Sequence, residues 1–108
     1  MTMGSYEDTL GVVITTESDY NNARNLANHI LKLELSKCVS ISKIESIYWW
    51  EGNIEEAHEY QLTIKTSLEL LDHLIIALNE KHTYELPQII CLRGSSSKEY
   101  KEWIEQAN

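Results

Sequence analysis

Six side chains in this sequence have donors suited to a soft or borderline metal ion: the thiols Cys38 and Cys91 and the imidazoles His29, His58, His73 and His82. Thiolate and imidazole both suit copper, provided that they converge in space. Their spacing gives no ligand motif, with neither a Cys-x-x-Cys pair nor a His-Glu-x-x-His helix. Motifs for covalent or phosphate chemistry are also missing, since there is no Gly-rich phosphate loop and no Gly-x-Ser-x-Gly elbow. Cys91 lies inside Ile89-Ile90-Cys91-Leu92 and is expected in the core, because unpaired cysteine is among the most buried residue types. His29 and His73 fall on polar sides of helical stretches and are expected to be solvated. His82 follows a helical stretch, where the helix dipole favours a cation, so a capping role accounts for it.

The elements that must position these groups follow from periodicity. Leu10–Thr16 is apolar and β-branched, too short for a helix, and reads as a buried central strand. From Ser18 to about Leu35, Ala23, Leu26, Ala27, Ile30 and Leu31 recur at helical spacing opposite Asn22, Arg24, Asn25, Asn28 and Lys32. Between Cys38 and Trp50, Val39 and Ile41 alternate with serines, and then Ile44, Ser46, Tyr48 and Trp50 carry the opposite phase, which predicts a bulge near Ser42-Lys43. A turn at Glu51-Gly52-Asn53 leads to a strand in which Tyr60, Leu62 and Ile64 alternate with polar residues, so the two strands form an antiparallel hairpin. Thr66-Ser67-Leu68-Glu69 fits a capping box for a helix with Leu71, Leu74, Ile75 and Leu78 inward, ending near Lys81-His82. Pro87 precedes a strand at Ile89–Leu92. Ser96-Ser97-Lys98-Glu99 repeats the capping pattern before a short C-terminal helix bearing Tyr100, Trp103, Ile104 and Ala107.

The order β-α-β-β-α-β-α is the split β-α-β arrangement called ferredoxin-like, an α+β fold with both main helices on one face of a four-stranded sheet. Adjacent Tyr48, Trp49 and Trp50 must then point to both faces, and the second face needs a cover that another subunit could supply. The acylphosphatases that share this topology place an Arg in a Gly-rich loop after the first strand, whereas Thr15-Thr16-Glu17-Ser18-Asp19 is acidic and argues against phosphate capture. RNA-recognition domains display basic and aromatic residues on the central strands, where this chain has Val12 and Ile14.

The chain has 108 residues, one domain's length, without a linker-like run. Residues 1–9 read as a flexible N-terminal tail. With 17 acidic side chains against 9 Lys and Arg, the formal charge is −8, and the few cations are scattered, which excludes nucleic acid and anionic membranes as natural partners. No stretch approaches the roughly 20 apolar residues of a membrane span, and the start shows no signal-peptide pattern. Two distant cysteines suit free thiols in a reducing compartment, so a cytoplasmic location is expected. A domain this small buries only roughly two-thirds of its unfolded surface, which favours self-association.

The hairpin aromatics carry a specific likeness. Ser46-Ile47-Tyr48-Trp49-Trp50-Glu51-Gly52-Asn53-Ile54, Glu59-Tyr60-Gln61-Leu62-Thr63-Ile64-Lys65-Thr66 and His82-Thr83-Tyr84-Glu85-Leu86-Pro87-Gln88-Ile89-Ile90 together resemble the CutA divalent-cation tolerance family. Ala23-Arg24-Asn25-Leu26-Ala27, Cys38-Val39 and Glu99-Tyr100-Lys101-Glu102-Trp103 extend the resemblance from about Val12 to the C-terminal helix. The resemblance implies a homotrimer of ferredoxin-like subunits whose sheets face inward, structurally similar to PII signalling proteins. It also implies a non-enzymatic protein that requires no cofactor and binds copper(II) or another divalent cation.

On that resemblance Cys38 and His82 are the expected metal ligands. Tyr48, Trp50, Glu59, Lys65 and Tyr84 are expected to line a ligand cleft or trimer interface. The alternative is a PII-like signalling or scaffold trimer that binds a small ligand or an unidentified protein partner and meets metals only incidentally. The sequence departs from the family pattern at Ser40, where Asn is usual, at Thr83, where Pro is usual, and at Gln88, where Glu is usual. The last removes a carboxylate ligand, and the loss of the proline is expected to loosen the loop around Tyr84.

Overall fold

The computed structural model describes residues 9–107. The elements run β1 (Leu10–Glu17), α1 (Tyr20–Lys32), β2 (Cys38–Trp50), β3 (Asn53–Ser67), a single 3-10 turn (Leu68–Leu70), α2 (Leu71–Lys81), β4 (Ile89–Gly94) and α3 (Lys98–Glu105). The strands form one sheet in the order β2-β3-β1-β4, every neighbouring pair antiparallel. This is the ferredoxin-like α+β architecture that the element order predicts. Of the expected tail, residues 1–8 lie outside the described residues, and the Thr9 amide donates to the Gly94 carbonyl at 2.9 Å.

Side chains alternate across a strand, and the helices settle which face is the core. Val13, Leu62 and Ile64 on the sheet meet Ala23, Leu26, Ala27 and Ile30 of α1 and Leu71, Leu74, Ala77 and Leu78 of α2. At Gly11 a Cβ would lie 2.5 Å from a Leu71 methyl, so any side chain there forces Leu71 to shift. Helix α1 starts two residues later than its periodicity suggests, because Asp19 accepts the Asn22 amide at 2.8 Å as N-cap. It stops before Leu35 because Glu34 adopts φ 58°.

The opposite face carries Val12, Ile14, Ile90 and Leu92, of which Ile90 and Leu92 are 44% and 49% exposed. This is the face whose covering the aromatic hairpin demands. At one end of the sheet, α3 is fastened by Lys37, whose ammonium donates to the Trp103 carbonyl at 2.9 Å and lies 4.6 Å over the Trp103 ring.

Four local expectations are corrected. There is no bulge in β2, since its pairing with β3 runs unbroken from Cys38↔Lys65 to Trp50↔Asn53. The phase of buried residues changes because the hairpin outruns the helices. Thirteen residues at roughly 3.3 Å each make β2 about 43 Å long, in a molecule whose greatest dimension is 48 Å. Val39 and Ile41 meet the helix layer. Further out Lys43 and Glu45 are exposed, whereas Ile44 and Ser46 are half-buried on the other side. The two strands are joined by Glu51 and Gly52, both with positive φ, in the two-residue turn that antiparallel hairpins favour.

The Thr66 capping box does not form either. The Thr66 hydroxyl instead donates to the Leu35 carbonyl at 2.7 Å, tying β3 to the chain leaving α1. The third correction is Cys91, which is exposed rather than in the core. It alternates onto the helix-side face, but β4 is an edge strand and the helices are centred over β1 and β3. At the chain's end, Ser97 rather than Ser96 caps α3, accepting the Tyr100 amide at 3.4 Å.

Candidate functional site

The segment 82–88, between α2 and β4, passes around the end of β1 and joins the two faces of the sheet. On the helix side the His82 ring is fully buried against Thr15 and Glu17. Its Nδ1 accepts the Tyr84 backbone N–H at 2.9 Å, so the ring proton sits on Nε2 and is donated to Thr15 Oγ1 at 3.1 Å. His82 closes α2 through its backbone, but its side chain bonds none of the helix carbonyls, and this replaces the expected capping role.

On the open side the Tyr84 hydroxyl donates to Glu59 Oε2 at 2.8 Å. Burial pushes the Glu59 carboxyl up, but hydrogen bonds from Ser46, Tyr84 and Thr16 outweigh it and hold the group below its ordinary value. Burial and the Glu59 carboxylate that it faces push the Tyr84 phenol upward. The pair is thus matched, a persistent anion accepting from a persistent donor.

Glu17 is a residue that the sequence reading missed. It is 1% exposed, at the end of β1 on the covered side. Both its carboxyl oxygens are engaged by Thr83: Oε2 accepts the Thr83 amide at 3.2 Å, and Oε1 accepts the Thr83 hydroxyl. In the sequence Glu17 stands among polar residues that end a strand, and only a long-range contact distinguishes it from a solvated one. The expectation that Thr83 loosens the loop is therefore corrected, since Thr83 supplies two donors that a proline lacks.

The remaining expected site residues separate into groups. Tyr48, Trp50, Glu59 and Lys65 all alternate onto the open face, and the Tyr84 hydroxyl reaches the same face. Glu59 and Lys65 are six residues apart on β3, roughly 20 Å at strand spacing, and Lys65 donates to Ser40 at 2.8 Å. They cannot share one cleft within a single chain. Tyr48 and Trp50 are 44% and 51% exposed near the hairpin tip. Two surface grooves, of about 370 and 540 Å³, are lined by none of the expected site residues.

The expected metal ligands also stand apart. Cys38 pairs with Lys65 on the open face, and burial together with the nearby Cys38 pushes the Tyr100 phenol upward. His82 faces Thr15, which pairs with Leu62 and lies on the covered side. The two ligands are separated by the sheet itself, with roughly 10 Å along the strands and roughly 10 Å across them. Among the described residues no group of three or more His, Cys, Asp or Glu side chains converges. The donors of one chain do not fit a resident metal.

The fold and this hairpin-and-loop arrangement define a ferredoxin-like α+β protein with an uncovered sheet face and an aromatic hairpin that projects beyond its helices. Comparison with known proteins gives the family. The profile of the CutA1 divalent ion tolerance proteins matches residues 11–107, and the chain belongs to that family. It is 33% identical over 94 residues to the divalent-cation tolerance protein CutA of Thermococcus kodakarensis, covering 86% of this chain and 90% of that protein. It is 38% identical over 99 residues to the chloroplastic protein CutA of Arabidopsis thaliana, covering 89% of this chain and 54% of the plant protein. The structure of CutA from Synechococcus elongatus superposes with a TM-score of 0.88 at 36% identity, covering 92% and 89% of the two chains.

Proposed function

We propose that this chain is a non-enzymatic divalent-cation tolerance protein that works as a homotrimer and takes up copper(II) or a related ion as cargo between its subunits. The observation that carries the reading is the open sheet face. Its β1 and β4 half is apolar, with Val12, Ile14, Ile90 and Leu92, and toward the hairpin it holds the carboxylate-phenol pair of Glu59 and Tyr84. An apolar sheet face left uncovered by its own helices calls for a partner, and three copies facing inward bury it. The names of the relatives, divalent-cation tolerance proteins, support the cation.

Cys38 and His82 lie on opposite faces of the sheet, so a site that uses both draws them from different copies. His82 must also release the Tyr84 amide or Thr15 before it can coordinate. Tyr48, Trp50, Glu59, Lys65 and Tyr84 fit the intersubunit surface, where Glu59 of one copy and Lys65 of another can meet although they cannot within one. Cys38 and Cys91 are both free, which suits a reducing, cytoplasmic location. No helix among the described residues is long and apolar enough to cross a membrane.

The buried, doubly bonded His82 favours the second reading, a PII-like signalling or scaffold trimer that binds a small ligand or a protein partner. Native mass spectrometry of the protein exposed to limiting copper(II) and then buffer-exchanged separates the two. A trimer that retains a whole number of copper ions, and loses them in Cys38→Ser and His82→Ala, supports the cation reading. A metal-free trimer moves the function to the second reading, and a monomer overturns the assembly on which both rest.

A further inference from the structure

We propose that Glu17 and Thr83 are positioning residues that form an internal latch, fixing the 82–88 segment so that Tyr84 is presented to Glu59 on the open face. The argument starts from the cost of burial. A carboxyl group removed from water must have its oxygens satisfied, and Glu17 is 1% exposed. Thr83 satisfies both oxygens, one through its amide and the other through its hydroxyl.

The next residue along the chain is Tyr84, whose own amide is held by His82 Nδ1 at 2.9 Å and whose hydroxyl is held by Glu59 at 2.8 Å. The His82 and Tyr84 rings are 5.0 Å apart, so the three consecutive residues 82, 83 and 84 are fixed as one unit. Within that unit Thr83 makes the two hydrogen bonds to Glu17 at the end of β1, the centre of the sheet.

The latch has a chemical requirement at each end. Position 83 must supply two donors, which threonine and serine do, valine does only through its amide, and proline does not at all. Position 17 must offer an acceptor to the Thr83 amide and a polar partner to its hydroxyl, which leucine does not, whereas glutamine still can by accepting the amide and donating to the hydroxyl. Glu17 and Thr83 touch neither the open face nor the Glu59 carboxylate, so they act on that face only through Tyr84. That Tyr84 serves a ligand cleft rests on the functional reading above. The latch is measured on the metal-free protein, so the two can fail separately.

The test is nuclear magnetic resonance of the metal-free full chain with carbon-labelled tyrosine, the Tyr84 Cζ signal being assigned by its loss in Tyr84→Phe. In Thr83→Val and Glu17→Leu the Tyr84 Cζ signal should move to the position of a solvated tyrosine. Amide exchange at Thr83 and Tyr84 should accelerate about tenfold or more as the segment opens locally. Thr83→Ser, which keeps both donors, should stay at wild-type values. Thr83 is exposed, so Thr83→Val opens no core cavity and carries the test if Glu17→Leu folds poorly. A lowered melting temperature with an unmoved Tyr84 signal would overturn the latch, as would a Thr83→Ser variant as disturbed as Thr83→Val.

Discussion

Tyr84 donates its hydroxyl to Glu59 across 2.8 Å, and this one bond joins the segment after α2 to the middle of β3. Tyr84 comes from a stretch of irregular backbone, and Glu59 from the point where the hairpin begins to leave the helix layer. The bond therefore couples the position of the segment to that of the hairpin.

Removing that bond should have a measurable cost. Hydrogen bonds to charged groups contribute about 1.5–3 kcal/mol, and the half-exposed position of the pair places Tyr84→Phe near the lower end. Glu59→Gln should cost a similar amount. The double variant should cost clearly less than the sum of the two, because Tyr84→Phe removes the bond whose charge assistance Glu59→Gln removes. Urea unfolding of the four proteins checks this, and strictly additive costs would show that the two residues are not coupled.

The pair also fixes a pH window. The folded Glu59 pKa lies below its ordinary 4.5, so its contribution is present above that value and lost as pH falls through the lower folded one. The folded Tyr84 pKa lies above its ordinary 10.0, so its contribution is present below 10.0 and lost as pH rises through the higher folded one. The melting-temperature gap between wild type and Tyr84→Phe should stay flat between those ordinary values and close on the acid side. A gap that persists in strong acid contradicts the assignment to an ionised Glu59.

Trp50 offers a test of assembly that leaves the subunit fold intact. It is 51% exposed in the single chain, so Trp50→Ala opens no internal cavity. If the hairpin packs on a neighbour, truncation of a buried interface tryptophan costs about 2 kcal/mol or more. Circular dichroism should remain that of the wild type, while light scattering after size exclusion reports monomer in place of trimer. An intact trimer from this variant removes Trp50 from the interface.

Gly11→Ala should destabilise the fold by about 1–3 kcal/mol, the usual cost of adding a methyl group to a filled core. The new Cβ would lie 2.5 Å from a Leu71 methyl, and Leu71 is 2% exposed with little room to retreat. Thermal melts read the change directly. Unchanged stability would mean that α2 can slide on β1.

Much of the fold was legible from residue types alone. The alternation of Tyr60, Leu62 and Ile64 marks β3, and the three- and four-residue recurrence of Ala23, Leu26, Ala27 and Ile30 marks α1, because strand and helix periods differ enough to be read without a partner. The bulge expected at Ser42-Lys43 was misread for a physical reason: a change in burial phase looks the same whether the strand kinks or its covering layer ends. Cys91 was misread because its apolar neighbours describe the strand, whereas exposure depends on where the helices stop.

The candidate site was legible in part. The even spacing of Glu59 and Lys65 places them on one polar face of β3, whereas the bulge expected in β2 would have set Tyr48 and Trp50 in phase with Val39 and Ile41, and only the unbroken pairing puts them on the Glu59 side. The Glu17–Thr83 contact, 66 residues apart in the chain, leaves no local signal, since a carboxylate at a strand end is as compatible with solvent as with burial. The separation of Cys38 from His82 by the sheet is equally silent, because sequence order carries no information about which face a loop residue will reach.

The sequence by itself determined the elements, their order and the alternation of β1 and β3, because these follow from periodicities set by backbone geometry within a few residues. Tertiary structure alone decided that Glu17 is buried, that Thr83 answers it, that Tyr84 reaches Glu59 and that His82 and Cys38 stand on opposite sides. Each of these depends on how the segment after α2 passes the end of β1, and that path is set by packing between distant parts of the chain.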